Sequence, residues 1–195
     1  MTRSKRRLVV FGTTLVALVL LAIASIACWL FWPNANTLVR QAESNDIAGM
    51  KRSMFFGVDP NEFELATWRM DCDGETPMTA AVRAGNMDAI RILLEHGADP
   101  NLGNNGGKLL SQDTPLSLAA YHGHLEICRL LIDHNADPDV ATNPSQPATC
   151  GGKWTCLDWA IFQRHDEVAE YLKGVGASES GLRSKAKIYR PPLKE

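Results

Sequence analysis

The sequence predicts an all-α protein in which about four helix-turn-helix units stack into a solenoid, preceded by one transmembrane helix. Three observations lead to this prediction: a long uncharged run near the N-terminus, a pentapeptide pattern with three copies, and two short helical patterns between successive copies. The chain has 195 residues, of which 45% are hydrophobic and 22% are charged. This globular composition excludes a wholly disordered or fibrous protein.

The predicted transmembrane helix occupies the uncharged run from Leu8 to Trp32, within a first segment at residues 1–33. As an α-helix the run would extend about 37 Å at roughly 1.5 Å per residue, against about 30 Å of hydrocarbon. Four basic residues precede it, which predicts a cytoplasmic N-terminus and export of everything that follows. Two alternatives remain open, namely cleavage as a signal peptide next to Ala24 or Ala27 and acylation of Cys28 as in a lipoprotein. The rest of the chain is exported in all three cases.

The exported part is acidic and ends in a basic tail. Residues 34–177 include 11 basic and 20 acidic residues, a net charge of −9. The tail at 179–195 holds five basic residues and is predicted to be disordered. An acidic body argues against nucleic acid as the ligand, because nucleic-acid binding needs a cationic surface. A basic protein partner suits this charge better.

Internal similarity defines the repeating units. The segment Gly57–Asn61 (GVDPN) returns as Gly97–Asn101 (GADPN) and as Asn135–Asp139 (NADPD). Two short helical patterns lie between successive copies. A domain at 34–178 is therefore predicted, and its repeats fall at about 36–61, 71–103, 113–141 and 155–178.

A second signal recurs in register with the first. Thr76-Pro77 returns as Thr114-Pro115 and, weakly, as Thr155-Cys156. Threonine can cap a helix N-terminus, and proline suits the first helical position because its missing N–H has no partner there. Each Thr-Pro pair therefore predicts the start of a helix. Gly85 and Gly123 suit the tight turn to the next helix.

Two strings in the middle of the chain resemble the ankyrin repeat, whose consensus contains T-P-L-H-x-A, a short turn, a second helix and a G-A-D-x-N hairpin start. They are ETPMTAAVRAGNMDAIRILLEHGADPN at 75–101 and DTPLSLAAYHGHLEICRLLIDHNADPD at 113–139. The segments 37–61 and 155–177 are degenerate and look like N-terminal and C-terminal caps. The resemblance covers about residues 36–178. It implies a non-catalytic module that holds protein partners with its finger tips and the first helices of its repeats.

Two departures from the ankyrin pattern bear on stability and binding. Thr79, Ser117 and Asp158 stand where histidine follows T-P-L, so the hydrogen bonding that histidine supplies between units must be replaced or lost. The signals also recur at intervals of 38 to 41 residues instead of 33. The additional residues lie between each hairpin start and the next helix, which predicts extended fingers.

The three predicted fingers carry the candidate contact residues. They lie at 62–73, 102–113 and 140–154. Aromatic residues and arginine dominate the energetics of protein interfaces, and large side chains stand out in these otherwise polar segments. The predicted partner contacts are Trp68, Arg69, Lys108, Leu109, Leu110 and Trp154. An equally weighted alternative is that Trp68 and Trp154 fold back to cover the fingers.

The cysteines suggest one local crosslink. Cys150 and Cys156 flank a glycine-containing loop in an exported segment, which predicts a disulfide, with a reduced pair as the alternative. Cys128 is predicted to be a small buried residue, and Cys72 has no assignment. Cys150 and Cys156 with His165 lack the fourth ligand and the recognised spacing of a zinc site. No metal is therefore predicted.

No motif in the sequence points to catalysis. The sequence contains no convincing match to a nucleophile elbow, a zinc-protease helix, a phosphate loop or a dinucleotide fingerprint. The segment Gly103–Lys108 (GNNGGK) has the wrong spacing for a phosphate loop and no Ser or Thr after the lysine. The five histidines are expected to have structural or surface roles. We therefore predict no enzyme activity, no cofactor and no small-molecule substrate.

These expectations combine into one functional prediction. The protein would be anchored in a bacterial inner membrane by one helix, with its ankyrin-repeat domain in the periplasm. There it would act as an immunity-like inhibitor that captures a basic secreted toxin. The alternative is a scaffold or stress-response factor that binds resident envelope proteins, and an enzyme is the third class.

Overall fold

The structure is a computed structural model that describes residues 34–63, 74–104, 113–140, 142 and 154–180. Backbone contacts divide the chain into Met1–Pro33 and Asn34–Glu195, and every described residue belongs to the second unit. None of the helices in the described ranges has the length and apolar character to cross a membrane. The predicted transmembrane helix at Leu8–Trp32 lies outside these ranges, as does the predicted disordered tail beyond residue 180.

The described part of the chain is helical, which confirms the predicted all-α class. Two isolated residues, Thr142 and Trp154, form an antiparallel bridge, and no longer strand occurs among the described residues. The helices in chain order are α1 (Ala35–Glu43), α2 (Ile47–Phe55), α3 (Pro77–Arg83), α4 (Met87–Glu95), α5 (Pro115–His122), α6 (Leu125–Asp133), α7 (Cys156–Phe162) and α8 (Asp166–Gly174).

The eight helices form four pairs, here called the first to fourth units. A short turn joins the two helices of each pair, so each pair is an antiparallel hairpin. The first helices stack in the order α1, α3, α5 and α7, and the second helices pack as α2 on α4 and α6 on α8. Each unit therefore covers the apolar face of the next, which one helix pair cannot do alone.

The predicted threonine caps are present. Thr76, Thr114 and Thr155 each accept a hydrogen bond from the backbone N–H three residues later, at the start of α3, α5 and α7. Pro77 and Pro115 occupy the first position of their helices. Local residue choice therefore determines where the first helices begin.

The turn between paired helices needs a left-handed backbone. Gly123 has φ +77°, and a side chain there would also run into the His165 imidazole, because a Cβ would lie 2.5 Å from its Nδ1. In the fourth unit Arg164 takes the equivalent left-handed position, with φ 65°. A non-glycine residue in this conformation costs free energy that the surrounding packing must offset.

The core runs through all four units. Small residues on α3 and α5, Ala80-Ala81 and Ala119-Ala120, are fully buried and let neighbouring first helices approach closely. On the second helices, Leu93 and Leu131 are fully buried, as is Cys128, which confirms its predicted place in the core.

Candidate protein-binding surface

Asparagine side chains link the hairpin starts of neighbouring units. Asn61 Nδ2 donates to the Gly97 carbonyl at 3.1 Å, and its Oδ1 accepts from the Asp99 N–H at 2.7 Å. Asn101 repeats both bonds with Asn135 and Asp137, at the same two distances. Each amide thus donates to and accepts from the backbone of the next unit. These bonds set the spacing of the fingers, which begin at these residues.

Asp139 stands at the same position in the next copy but finds different partners. Its Oδ1 accepts two hydrogen bonds, from the backbone N–H and the hydroxyl of Ser178, both at 2.8 Å. A carboxylate accepts but cannot donate, and Ser178 offers two donors. These bonds lower the pKa of Asp139 below its ordinary value.

A row of exposed carboxylates lies at the same hairpin starts. Asp59, Asp99 and Asp137 are exposed and equivalent in register, one per unit. Each Oδ1 accepts from the backbone N–H two residues later, at 2.8 to 2.9 Å. Such a turn fixes the side chain against its own backbone. The carboxylates are therefore held in matching orientations along the side where the fingers begin.

Other side chains partly replace the missing consensus histidine. The Thr79 hydroxyl donates to Asn104 Oδ1 at the start of the second finger, so a link between units is restored there. Ser117 donates to the carbonyl of Thr114 within its own unit. Asp158 Oδ2 accepts from Thr155 and Ser180. Among the described contacts neither Ser117 nor Asp158 bonds to another unit, so the expected loss applies to both positions.

An aromatic cluster lies on α5 and α7. The Trp159 ring packs against Trp154 with centroids 4.7 Å apart and against Tyr121 at 5.3 Å, and Phe162 lies 5.1 Å from Trp154. Trp159 Nε1 donates to Thr142 Oγ1 at 3.2 Å. Both tryptophans are buried, whereas Tyr121 and Phe162 are partly exposed. The cluster therefore offers a half-exposed aromatic edge on the first helices.

Sequence reasoning did not identify this cluster as a site. Trp159 and Phe162 stand three residues apart, a spacing that places both side chains on one side of a helix. This spacing is the sequence signal that could have indicated the aromatic cluster. Tyr121 joins the cluster only through the stacking of α5 on α7.

Most of the predicted contact residues are not described. Trp68, Arg69, Lys108, Leu109 and Leu110 lie outside the described ranges, so their role stays a prediction. Trp154 is described, and only 3% of it is exposed. Its backbone pairs with Thr142 in both directions, at 2.8 and 2.9 Å. This burial, with the ring packed on Trp159 and Phe162 of α7, fits the alternative that Trp154 folds back, and a contact between Trp154 and a partner stays a prediction.

Cys156 is a free thiol at the start of α7. It is 2% exposed, and its Sγ donates to the Pro138 carbonyl at 3.0 Å. Burial raises the pKa of Cys156 to about 12, and only the thiolate reacts in disulfide exchange. This environment fits the reduced alternative. Cys150 lies outside the described ranges, so the Cys150–Cys156 disulfide stays a prediction.

Three histidines gather at the turns of the third and fourth units. The rings of His122 and His124 stack with centroids 5.7 Å apart, and His165 Nε2 lies 3.1 Å from the Tyr121 carbonyl. Burial, followed by the charge of neighbouring histidines, lowers the pKa of both His122 and His124. Within the described residues no three His, Cys, Asp or Glu side chains converge as a metal site would require.

The comparisons with known proteins agree with this architecture. A family model described as ankyrin repeats, three copies, matches residues 38–142 and 103–179. The chain is also similar to the 2-5A-dependent ribonuclease of Mus musculus, with 35% identity over 66 residues. That stretch is 34% of this chain and 8% of the relative, so the relative's activity is not carried over.

The two matches of the family model span most of the chain, from within α1 to the end of α8. Ankyrin-repeat domains are in general non-catalytic modules for protein–protein interaction. The chain belongs to the ankyrin repeat family.

Proposed function

We propose that this protein is a membrane-tethered, extracytoplasmic ankyrin-repeat module that binds and inhibits a basic protein. In this proposal its first segment anchors it in a bacterial inner membrane, and the repeats face the periplasm. The target is a secreted toxin, so the protein acts as an immunity-like inhibitor. The observation that carries the proposal is the row of exposed carboxylates at Asp59, Asp99 and Asp137.

The row favours a basic protein over other partners for a geometric reason. Adjacent carboxylates lie one unit apart, and packed helices are about 8 to 10 Å apart. At that spacing one small ligand cannot contact all three carboxylates, whereas a protein surface with several lysines or arginines can. Charges of opposite sign speed the encounter and set orientation more than they add raw affinity. The row is therefore suited to rapid capture of a basic partner.

The aromatic edge supplies apolar contacts, which the row of carboxylates does not provide. Interfaces usually depend on a few aromatic or arginine residues near their centre. Tyr121 and Phe162 are partly exposed and are supported from behind by Trp159. Because the supporting ring is buried, binding would immobilise little that is not already ordered. This low ordering cost supports Tyr121 and Phe162 as apolar anchors.

Two sequence features support the tether and its direction. The run Leu8–Trp32 has the length and apolarity of a membrane-spanning helix, and basic residues precede it. An inhibitor held at the inner membrane would meet an incoming toxin before that toxin reached its site of action. Membrane extraction of the full chain tests the tether by itself: alkaline carbonate should leave the protein in the membrane pellet.

The test of the proposed partner uses the carboxylates. The full chain, solubilised in mild detergent, serves as bait for secreted and envelope proteins at low and moderate salt. Its triple variant Asp59→Asn, Asp99→Asn, Asp137→Asn is isosteric and keeps the Oδ1 that each turn requires. We expect the parent to retain a basic secreted protein with an affinity that falls with salt, and the variant to bind it at least tenfold more weakly.

A second triple variant is the matched control. Asp88, Glu126 and Glu167 are exposed carboxylates in the first turns of α4, α6 and α8, so their amide variant loses the same charge on another face. This control should bind like the parent. Equal weakening in both variants would mean that net charge alone matters and that the row is not the site. Capture of resident envelope proteins only would favour the scaffold alternative.

A further inference from the structure

Two aromatic side chains at the end of α2 are exposed to solvent. Phe55 is 84% exposed and Phe56 is 46% exposed, and their rings meet edge to face with centroids 5.6 Å apart. With Val175, they are the large hydrophobic residues with high exposure in the described part of the chain. Single exposed apolar residues are common, but an adjacent aromatic pair indicates a surface that contacts something apolar.

The equivalent positions in the next two units are polar. The residue after the pair has a left-handed backbone in every unit, at Gly57, Gly97, Asn135 and Gly176, which aligns the units without ambiguity. The residues at the Phe55-Phe56 position are Glu95-His96 in the second unit, Asp133-His134 in the third and Gly174-Val175 in the fourth. The array therefore tolerates charged or small residues there, and the fold does not require the two phenylalanines.

Two basic residues accompany the aromatic pair. Lys51 and Arg52 are exposed and precede Phe55 and Phe56 by four residues each, so each cation lies next to one ring on the helix surface. Helix α2 has no acidic residue, whereas α4, α6 and α8 each have at least two. The result is a basic and aromatic patch, Lys51, Arg52, Phe55 and Phe56, in a domain that is otherwise acidic.

The acidic residues nearest in the chain do not cancel this patch. Asp46 caps the opposite end of α2, where its Oδ1 accepts from the Gly49 N–H at 2.9 Å. Asp59 accepts from the Asn61 N–H at 2.8 Å in the hairpin start. Neither carboxylate forms an ion pair with Lys51 or Arg52 among the described contacts. The two cations remain available to an anionic surface.

The position of the patch indicates which surface that is. Helices α1 and α2 are antiparallel, so the end of α2 lies beside the start of α1 at Ala35. Only Pro33 separates the cap residue Asn34 from Trp32, the last residue of the predicted transmembrane run. We infer that the patch seats the first unit on the anionic phospholipid surface of the membrane in which the chain is anchored. This inference rests on the proposed tether.

The chemistry of the patch fits a bilayer interface. Aromatic rings are enriched at the level of the lipid headgroups, and lysine and arginine extend their charges toward phosphates while their stems cover apolar surface. A second copy of the chain is less suited to cover the patch than a lipid surface is. Two phenylalanines offer at most a few hundred Å², whereas a stable interface buries about 800 Å² on each partner.

Photo-crosslinking of the full chain tests the inference. Phe55 is replaced by p-benzoylphenylalanine, and the protein is reconstituted into phosphatidylethanolamine vesicles that contain phosphatidylglycerol. Val175, an exposed apolar residue at the matching end of the fourth unit, receives the same probe as a control. We expect position 55 to form lipid adducts, by mass spectrometry, at least fivefold more often than position 175.

Two further measurements test the role of the two cations and the attachment of the chain to the vesicles. The double variant Lys51→Gln, Arg52→Gln should reduce the adducts at position 55 at least threefold, and so should removal of phosphatidylglycerol. Crosslinks to a second copy, or equal lipid labelling at both positions while the protein still floats with the vesicles, would overturn the inference and leave the tether standing. Failure of the chain to float would overturn the tether itself, and this inference with it.

Discussion

Trp154→Ala separates a structural role from a binding role at the base of the third finger. The Trp154 ring is 3% exposed and contacts Trp159 and Phe162, at 4.7 and 5.1 Å between centroids. A buried tryptophan removes about 150 to 250 Å² from water, worth about 4 to 6 kcal/mol at about 25 cal/mol per Å². Some of that area is already covered in the unfolded chain, and measured Trp→Ala losses are about 3 to 5 kcal/mol. We expect Trp154→Ala to lower the free energy of unfolding by about 3 to 4 kcal/mol.

The assay is urea denaturation of the full chain in mild detergent, followed by circular dichroism at 222 nm, because the substitution also changes tryptophan fluorescence. Trp154→Phe is the matched control. It keeps a ring in the cluster and should cost about half as much, since part of the volume and the aromatic contacts remain. A loss below about 1 kcal/mol for Trp154→Ala, together with a weakened partner interaction, would refute the reasoning and favour Trp154 as a contact residue.

Two further predictions concern the hydrogen bonds that Asn101 and Asp139 form at the hairpin starts. Asn101→Ala removes two hydrogen bonds to the third unit and should lower the free energy of unfolding by about 1 to 2 kcal/mol, measured in the same urea assay; a loss under about 0.5 kcal/mol would contradict a linking role. Asp139 accepts two hydrogen bonds from Ser178, and these bonds lower its pKa in the folded protein. The ionised carboxylate therefore stabilises the fold at pH values above the unfolded-state pKa near 3.8. This stabilisation is lost as the pH falls through the lower folded-state pKa. The stability difference between the parent and Asp139→Asn should therefore be constant from about pH 5 to 7 and should shrink toward about pH 3, whereas a difference unchanged at pH 3 would contradict this assignment.

The exposed pair Phe55-Phe56 shows where prediction from the sequence stops. The repeat register was visible, but the pattern assigned these residues to a degenerate cap and gave no reason to single them out. Whether an apolar residue at a helix end is covered depends on the neighbouring elements. In the first unit those elements leave Phe55 exposed, and only the assembled structure reveals the patch.

Short-range signals by themselves determined the helical units of this protein. Thr76 and Thr114 cap helices through contacts three residues away, and Gly123 sets a turn through its own backbone angle; such choices are local, so the sequence pattern contains them. The tertiary structure alone decided the burial of Trp154 and the partners of Asn101. Asn101 binds residues 34 and 36 positions away, whereas the Trp154 backbone pairs with Thr142 and its ring packs on Trp159 and Phe162 of α7. The Asn101 bonds form only when the units stack, and the Trp154 contacts form only when the chain before α7 folds back on that helix, which is why no local pattern determined either of them.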